Sequence, residues 1–185
     1  MITDFNIKIP ANISIKVEDS SIKIKGDLGE LNLFKNKQFS CIITPETNIL
    51  ECSILYQNSI KKQKVFLNKE FSKFRTDFHT SLKGVSKGFF TELKLLGVGF
   101  RFISYKSNVL LMKIGFCNNA SFIVPEEISV FLESPTQISL FSANYSLLKQ
   151  TAASLRAFRP PDSYKGKGLR YLNETLVLKE IKKNG

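Results

Sequence analysis

Asn68-Lys-Glu-Phe-Ser-Lys-Phe-Arg-Thr-Asp-Phe-His-Thr-Ser-Leu-Lys-Gly-Val-Ser-Lys-Gly88 is the stretch where the chain changes its period. Phe71, Phe74, Phe78, Leu82 and Val85 fall at i, i+3, i+7, i+11 and i+14, the single apolar stripe of a helix packed on a core. Asn68 is the expected N-cap, Glu70 suits the first turn, and Gly84 and Gly88 mark the end. Aromatic side chains at this spacing are far more often core than a cofactor box.

On the N-terminal side the period is two. Ile13–Val17 and Ile22–Lys25 alternate apolar and polar residues, as half-buried strands do. Glu18 to Ser21 supply turn chemistry between them, and Gly26 and Gly29 bracket a second turn before Glu30–Phe34. Further strands are expected around Phe39–Thr44, Ile49–Leu55 and Lys64–Leu67. The C-terminal side repeats the plan. Thr91–Ser104 and Val109–Ile114 are strand-like about Lys106-Ser-Asn, followed by Ser121–Val124, Ser129–Glu133 and Ser139–Ser142. A second helix follows, capped by Asn144, with Leu148, Ala152 and Leu155 on one face and Lys149 and Arg156 on another. Pro160 ends it, because the residue before a proline is pushed out of the helical region. The expected fold is therefore α+β: two tandem similar domains, 1–82 and 83–185, each a mainly antiparallel sheet packed with one helix.

Composition bounds the function. The 185 residues, 43% hydrophobic and 23% charged, are those of a globular chain rather than a disordered tail. No apolar run approaches the ~18 residues of a membrane span, and MITDFNIKIP resembles no leader peptide, so a product that works in an organelle is expected to be processed or made there. The formal charge of +11 is uneven, since residues 82–185 hold far more of the excess than residues 1–81. Positive charge gathered at one end reads as the footprint of a polyanionic partner. Cys41, Cys52 and Cys117 form no CxxC and have no nearby histidine; buried thiols in a reducing compartment are expected, not a metal site or disulfide framework. Abundant Lys, Ile, Phe and Asn point to an A/T-biased genome.

The segment Arg156-Ala-Phe-Arg-Pro-Pro-Asp-Ser-Tyr-Lys-Gly-Lys-Gly-Leu-Arg-Tyr171 carries the chemistry. Arginines donate paired hydrogen bonds to phosphate oxygens. Gly166 and Gly168 let main chain approach an anion and turn N–H groups toward it. Tyr164 and Tyr171 can stack on a base or sugar. A solvated basic loop is the bland alternative, and prolines, glycines and aromatics interleaved with charge tell against it. Catalytic readings fail. Gly97-Val-Gly-Phe-Arg-Phe102 begins like a dinucleotide fingerprint but has Phe102 at the third glycine position. His79 and Asp77 are two apart on one helix and do not face each other, while Glu126-Glu127 read as a turn. No enzyme, cofactor, metal or small-molecule substrate is expected.

Arg159 to Tyr171 closely resembles the signature of the ribosomal large-subunit protein six family, typically Arg-Pro-Pro-Glu-Pro-Tyr-Lys-Gly-Lys-Gly-Ile-Arg-Tyr. Ile7-Lys-Ile-Pro10, Gly84-Val-Ser-Lys-Gly-Phe89, Leu95-Leu-Gly-Val-Gly-Phe-Arg101 and Val124-Pro-Glu-Glu127 match that family in order. The resemblance implies two similar α+β domains, the C-terminal one docked on the 3′-terminal domain of large-subunit rRNA near the factor-binding region. Carried over, Arg156, Arg159, Tyr164, Lys165, Lys167, Arg170 and Tyr171 would meet RNA, with Gly166 and Gly168 permitting close approach and Lys87 at the joint a lesser candidate. Asp162-Ser163 departs from the usual Glu-Pro, and the family's basic N-terminal arm is nearly absent. The expected partners are rRNA and neighbouring large-subunit proteins, without membrane. The expected address is a mitochondrial matrix ribosome and an organelle-encoded product, with plastid or bacterial cytoplasm as alternatives. The alternative function is a basic non-ribosomal adaptor for acidic protein or membrane surfaces.

Overall fold

The computed structural model describes residues 4–44, 49–55 and 61–179, with side chains in the last span from 64 onward. The chain divides into two compact units, Met1–Gly88 and Phe89–Gly185.

In the first unit, β2 (Ser14–Val17), β3 (Ser21–Gly26) and β4 (Gly29–Phe34) form one antiparallel meander. A second antiparallel sheet has the order β1 (Asp4–Lys8), β6 (Ile49–Ile54), β5 (Phe39–Thr44). Strand β1 has no counterpart among the expected strands. Ile22 and Ile24, alternate residues of central strand β3, are fully buried, as the period-two pattern demands. Helix α1 (Lys61–Lys87), the one helix among the described residues of this unit, lays Phe71, Phe74, Phe78, Leu82 and Val85 into the same core. Phe5 of β1 and Phe39 of β5 meet the Phe71 ring at 5.0 and 5.1 Å between centroids. Burying each such ring contributes about 1.5–3 kcal/mol, so the helix is held mainly by packing.

Two expectations about α1 are corrected. Lys64–Leu67 is helix, not strand: Leu67 lies one turn before Phe71, extends the apolar stripe and is 4% exposed, so core burial overrides the β preference of Val-Phe. Asn68 is therefore interior to the helix and its carbonyl accepts from Ser72 Oγ at 2.9 Å. At the other end, Gly88 takes φ +73 and its N–H reaches Gly84 O at 2.9 Å, a glycine-terminated helix end. The helix outlasts the expected boundary at 82/83 because Val85 is still a core residue, and the two units divide at Gly88/Phe89.

The second unit has a four-stranded antiparallel sheet ordered β11 (Ser129–Ser134), β12 (Gln137–Ser142), β7 (Phe89–Leu96), β13 (Gly168–Tyr171). A three-stranded sheet, β8 (Arg101–Lys106), β9 (Val109–Lys113) and β10 (Ala120–Ile123), shares its core. Thr91–Ser104 is two strands rather than one, because Gly97 (φ +152) and Gly99 (φ +76) turn the chain between them. Lys106-Ser-Asn is the hairpin turn expected. Ser107 and Asn108 both have positive φ, the conformation a two-residue hairpin of matching twist requires. Helix α2 (Tyr145–Phe158) begins at Asn144, whose side chain accepts from Leu147 N at 3.2 Å, and buries Leu148, Thr151, Ala152 and Leu155. The α+β class and the plan of sheets with one helix per unit follow from these elements.

Candidate nucleic-acid interface

The segment 156–171 is not one loop. Its first three residues finish α2, its last four are β13, and only 159–167 is free of regular structure. Strand β13 pairs Leu169 with Leu95 and Tyr171 with Leu93, and Leu169 is fully buried. On the opposite face Arg170 lies beside Lys94. A four-residue strand ending a glycine-rich run leaves too little periodicity for the sequence to announce it.

The loop closes on itself. Leu169 N donates to Arg159 O at 2.8 Å, Asp162 N to Lys167 O at 2.9 Å and Gly166 N to Asp162 O at 2.9 Å. Lys165 N donates to the Asp162 carboxylate at 3.1 Å. Asp162 thereby caps a turn through its side chain, a role open to Asp where the family pattern has Glu-Pro. Gly168 is obligatory for a steric reason: at φ +145, a Cβ would lie 2.6 Å from Pro160 O and 2.8 Å from Arg159 O. Gly166 (φ +66) needs glycine for its backbone alone, since its Cβ would meet nothing closer than Leu178 Cδ2 at 3.5 Å. Its N–H is already bonded to Asp162 O, so it is not turned toward an external anion as expected.

This frame presents Tyr164, Lys165 and Lys167 to solvent, with no carboxylate salt-bridged to either lysine among the described residues. Lys165, Lys167, Arg170, Leu96, Val98 and Leu176 line a cleft of about 370 Å³. Arg159 is exposed, its guanidinium 5.7 Å from the Phe116 ring centroid. The Nε of Arg170 is buried without a hydrogen-bond partner, an uncompensated donor at the base of the loop. Tyr171 is half-buried and packs on the core, which leaves its ring less free than that of Tyr164. Lys87 is exposed on the last turn of α1, in the first unit.

Arg156 stands apart from the other candidates. Its guanidinium makes a two-pronged bond to Glu174, Nε to Oε2 at 3.0 Å and NH2 to Oε1 at 2.5 Å, while Tyr171 N donates to the same carboxylate at 3.2 Å. The bond to Arg156, reinforced by Tyr171 N–H, holds the Glu174 carboxyl below its ordinary pKa against the opposing effect of burial, and raises that of Arg156. Arg156 thus ties α2 to the segment after β13. That segment returns over the loop: Lys179 N donates to Ser163 O at 2.9 Å, and Leu176 and Leu178 cover Gly166. Sequence reasoning passes over Glu174 and Lys94 because their roles depend on partners distant along the chain.

Among the described residues no group of His, Cys, Asp and Glu could hold a metal ion. His79, Glu126 and Glu127 are exposed, and strand β8, not a helix, follows Gly97 to Phe100. Of the thiols Cys52 is buried and Cys41 half-buried, but Cys117 is exposed, contrary to expectation, because it lies in the turn between β9 and β10. No helix is long and apolar enough to cross a membrane among the described residues.

Fold and site define a basic protein of two α+β units, with a clamped Lys-Gly-Lys loop on one sheet edge and no catalytic constellation among the described residues. No family model matches the chain. It is 33% identical to large ribosomal subunit protein uL6c of Spinacia oleracea, over 95% of this chain and 76% of that protein. It is 34% identical to large ribosomal subunit protein uL6 of Acidovorax sp. strain JS42 and to that of Neisseria meningitidis serogroup C strain 053442, in both cases over 96% of this chain and 95% of the relative. The chain belongs to the uL6 family of large ribosomal subunit proteins.

Proposed function

We propose that the chain is a non-enzymatic structural constituent of the large ribosomal subunit. It binds large-subunit rRNA near the translation-factor-binding region through the second unit and packs against neighbouring ribosomal proteins. The observation that carries this reading is the loop 159–167: hydrogen bonds and Gly168 fix its shape, and its lysines remain without salt-bridge partners among the described residues. Lys165, Lys167, Arg159 and Arg170 neutralise converging phosphates, Tyr164 stacks on a base or sugar, and Gly166 and Gly168 keep the backbone compact. Arg156 and Tyr171 act from behind, one through Glu174 and the other through the core. Lys87 supplies a further phosphate contact from the first unit. Residue usage supports an A/T-rich organellar genome and a mitochondrial ribosome; the relatives named above are plastid and bacterial, which keeps those compartments as alternatives.

Sedimentation tests the function. Tagged protein is expected to co-migrate with large subunits through a high-salt gradient, and Lys165→Glu with Lys167→Glu to remain folded but leave the subunit peak. Recovery of the unmutated protein only in free or membrane fractions would favour a basic adaptor instead, and normal incorporation of the double variant would exclude the loop as the contact.

A further inference from the structure

Helix α1 is electrostatically two-sided. Glu70 and Asp77 lie on the flank facing Leu33 and Asn36, where the Asn36 side-chain amide donates to Glu70 Oε2 at 3.0 Å. On the other flank, beyond the buried Phe71–Phe78–Leu82 stripe, Arg75, His79 and Lys83 succeed one another at intervals of four residues. That interval is about 6 Å of rise along one stripe. With Lys8 at the end of β1 they border a groove of about 800 Å³, and among the described residues no Asp or Glu lines it. All four are exposed, and none makes a salt bridge among the described residues. The Arg75 guanidinium lies 5.9 Å from the Phe5 ring centroid, a cation–π contact that keeps it at the groove. Ser72 and Thr76, also on the groove wall, donate to helix carbonyls at 2.9 and 3.0 Å, so their hydroxyl hydrogens are already engaged and the cations supply the groove's charged donors.

We infer that this groove between β1 and α1 is a second polyanion site, in the first unit, that takes the sugar–phosphate backbone of RNA. The Arg75 guanidinium, a ring N–H of His79 and the Lys83 ammonium follow one another at one-turn intervals, with Lys8 opposite and no acceptor-only carboxylate among the described lining residues, and such a row of donors fits a uniform chain of phosphates. An acidic protein segment, with carboxylates at irregular intervals, has less reason to match a one-turn repeat of donors. The choice of RNA rests on the proposed ribosomal function, whereas the anion-binding geometry stands without it. Contacts of this kind position a protein on RNA and carry no sequence preference.

The test uses the full chain and a fluorescein-labelled oligouridylate, with anisotropy read across a salt series. The starting protein is the Lys165→Glu, Lys167→Glu variant, which removes the loop's contribution. That variant is expected to retain salt-dependent binding. Adding Arg75→Glu and Lys83→Glu should weaken it at least about tenfold and reduce the salt slope by about 1.4, roughly 0.7 for each phosphate of a single strand that is no longer neutralised. Arg75→Gln with Lys83→Gln should give the same direction with a smaller loss, and thermal melting by circular dichroism checks that each variant is folded. Unchanged affinity and slope in the charge-reversed variant would overturn the inference, as would complete loss of binding in the loop variant alone. Retained sensitivity to polyglutamate, but none to oligouridylate, would assign the groove to an acidic protein instead. A failed groove leaves the loop's role standing, because subunit incorporation reads that role separately.

Discussion

Replacing Gly168 by alanine isolates the device that shapes the loop. The backbone at φ +145 is one that only glycine adopts freely, and holding an L-residue there costs about 1–3 kcal/mol. The added Cβ would sit 2.6 and 2.8 Å from two carbonyl oxygens, closer than carbon and oxygen tolerate. Relief requires the 159–160 chain to withdraw, which stretches the 2.8 Å bond from Leu169 N to Arg159 O. Leu169 is fully buried, so an N–H orphaned there costs about 1–3 kcal/mol more. Together these make a loss of about 2–6 kcal/mol. For a unit of this size each kcal/mol lowers the melting temperature by about 4–8 °C. Melting of the second unit by circular dichroism should therefore fall by at least about 8 °C, and oligouridylate binding should weaken at temperatures where the unit remains folded. Gly166→Ala is the internal control, because its Cβ has room and only its φ of +66 is penalised, by about 1–2 kcal/mol. The reasoning is refuted if Gly168→Ala melts like the unmutated protein, or if Gly166→Ala is the more damaging of the two.

The Arg156–Glu174 clasp should respond to acid. Glu174 has its folded pKa lowered from 4.5, so its contribution is complete above the ordinary carboxylate range and is lost as pH falls through the lowered value; Arg156 stays charged throughout. Glu174→Gln should cost about 1–2 kcal/mol near neutrality, with the gap in melting temperature closing below pH ~4; a gap unchanged at acid pH would contradict this. In the first unit, Phe78→Ala should remove about 3–5 kcal/mol by opening a cavity in the centre of the aromatic stripe. Denaturant unfolding measures that loss, and a midpoint shift worth less than ~1 kcal/mol would mean that the core is not packed as described.

Patterns that are local are legible in the sequence, and those that depend on distant partners are not. The alternation at Ile22 and Ile24, the stripe from Phe71 to Val85, the Asn144 cap and the positive-φ pair Ser107-Asn108 each encode an element within a few residues. Lys64–Leu67 misleads because Val and Phe favour strands locally, while the deciding fact is that Leu67 reaches the same core as Phe71 one turn later. Strand β13 is hidden because its partner, β7, lies at the opposite end of the unit's sequence. The same holds for the site. Its glycines and lysines can be picked out by type, but the distinction between Gly166 and Gly168 lies in the carbonyls they approach, and the engagement of Arg156 lies in a carboxylate eighteen residues on.

Because β7 is hydrogen-bonded to β13 across almost the whole span of the second unit, and residues 174–179 then fold back onto the loop, the lysine-bearing surface acquires its shape only after the strand that opens the unit and the segment that follows the loop have both been made. The shaped loop exists only in a unit whose sheet is complete, so a partner that reads the proposed loop surface would distinguish finished molecules from partly folded ones.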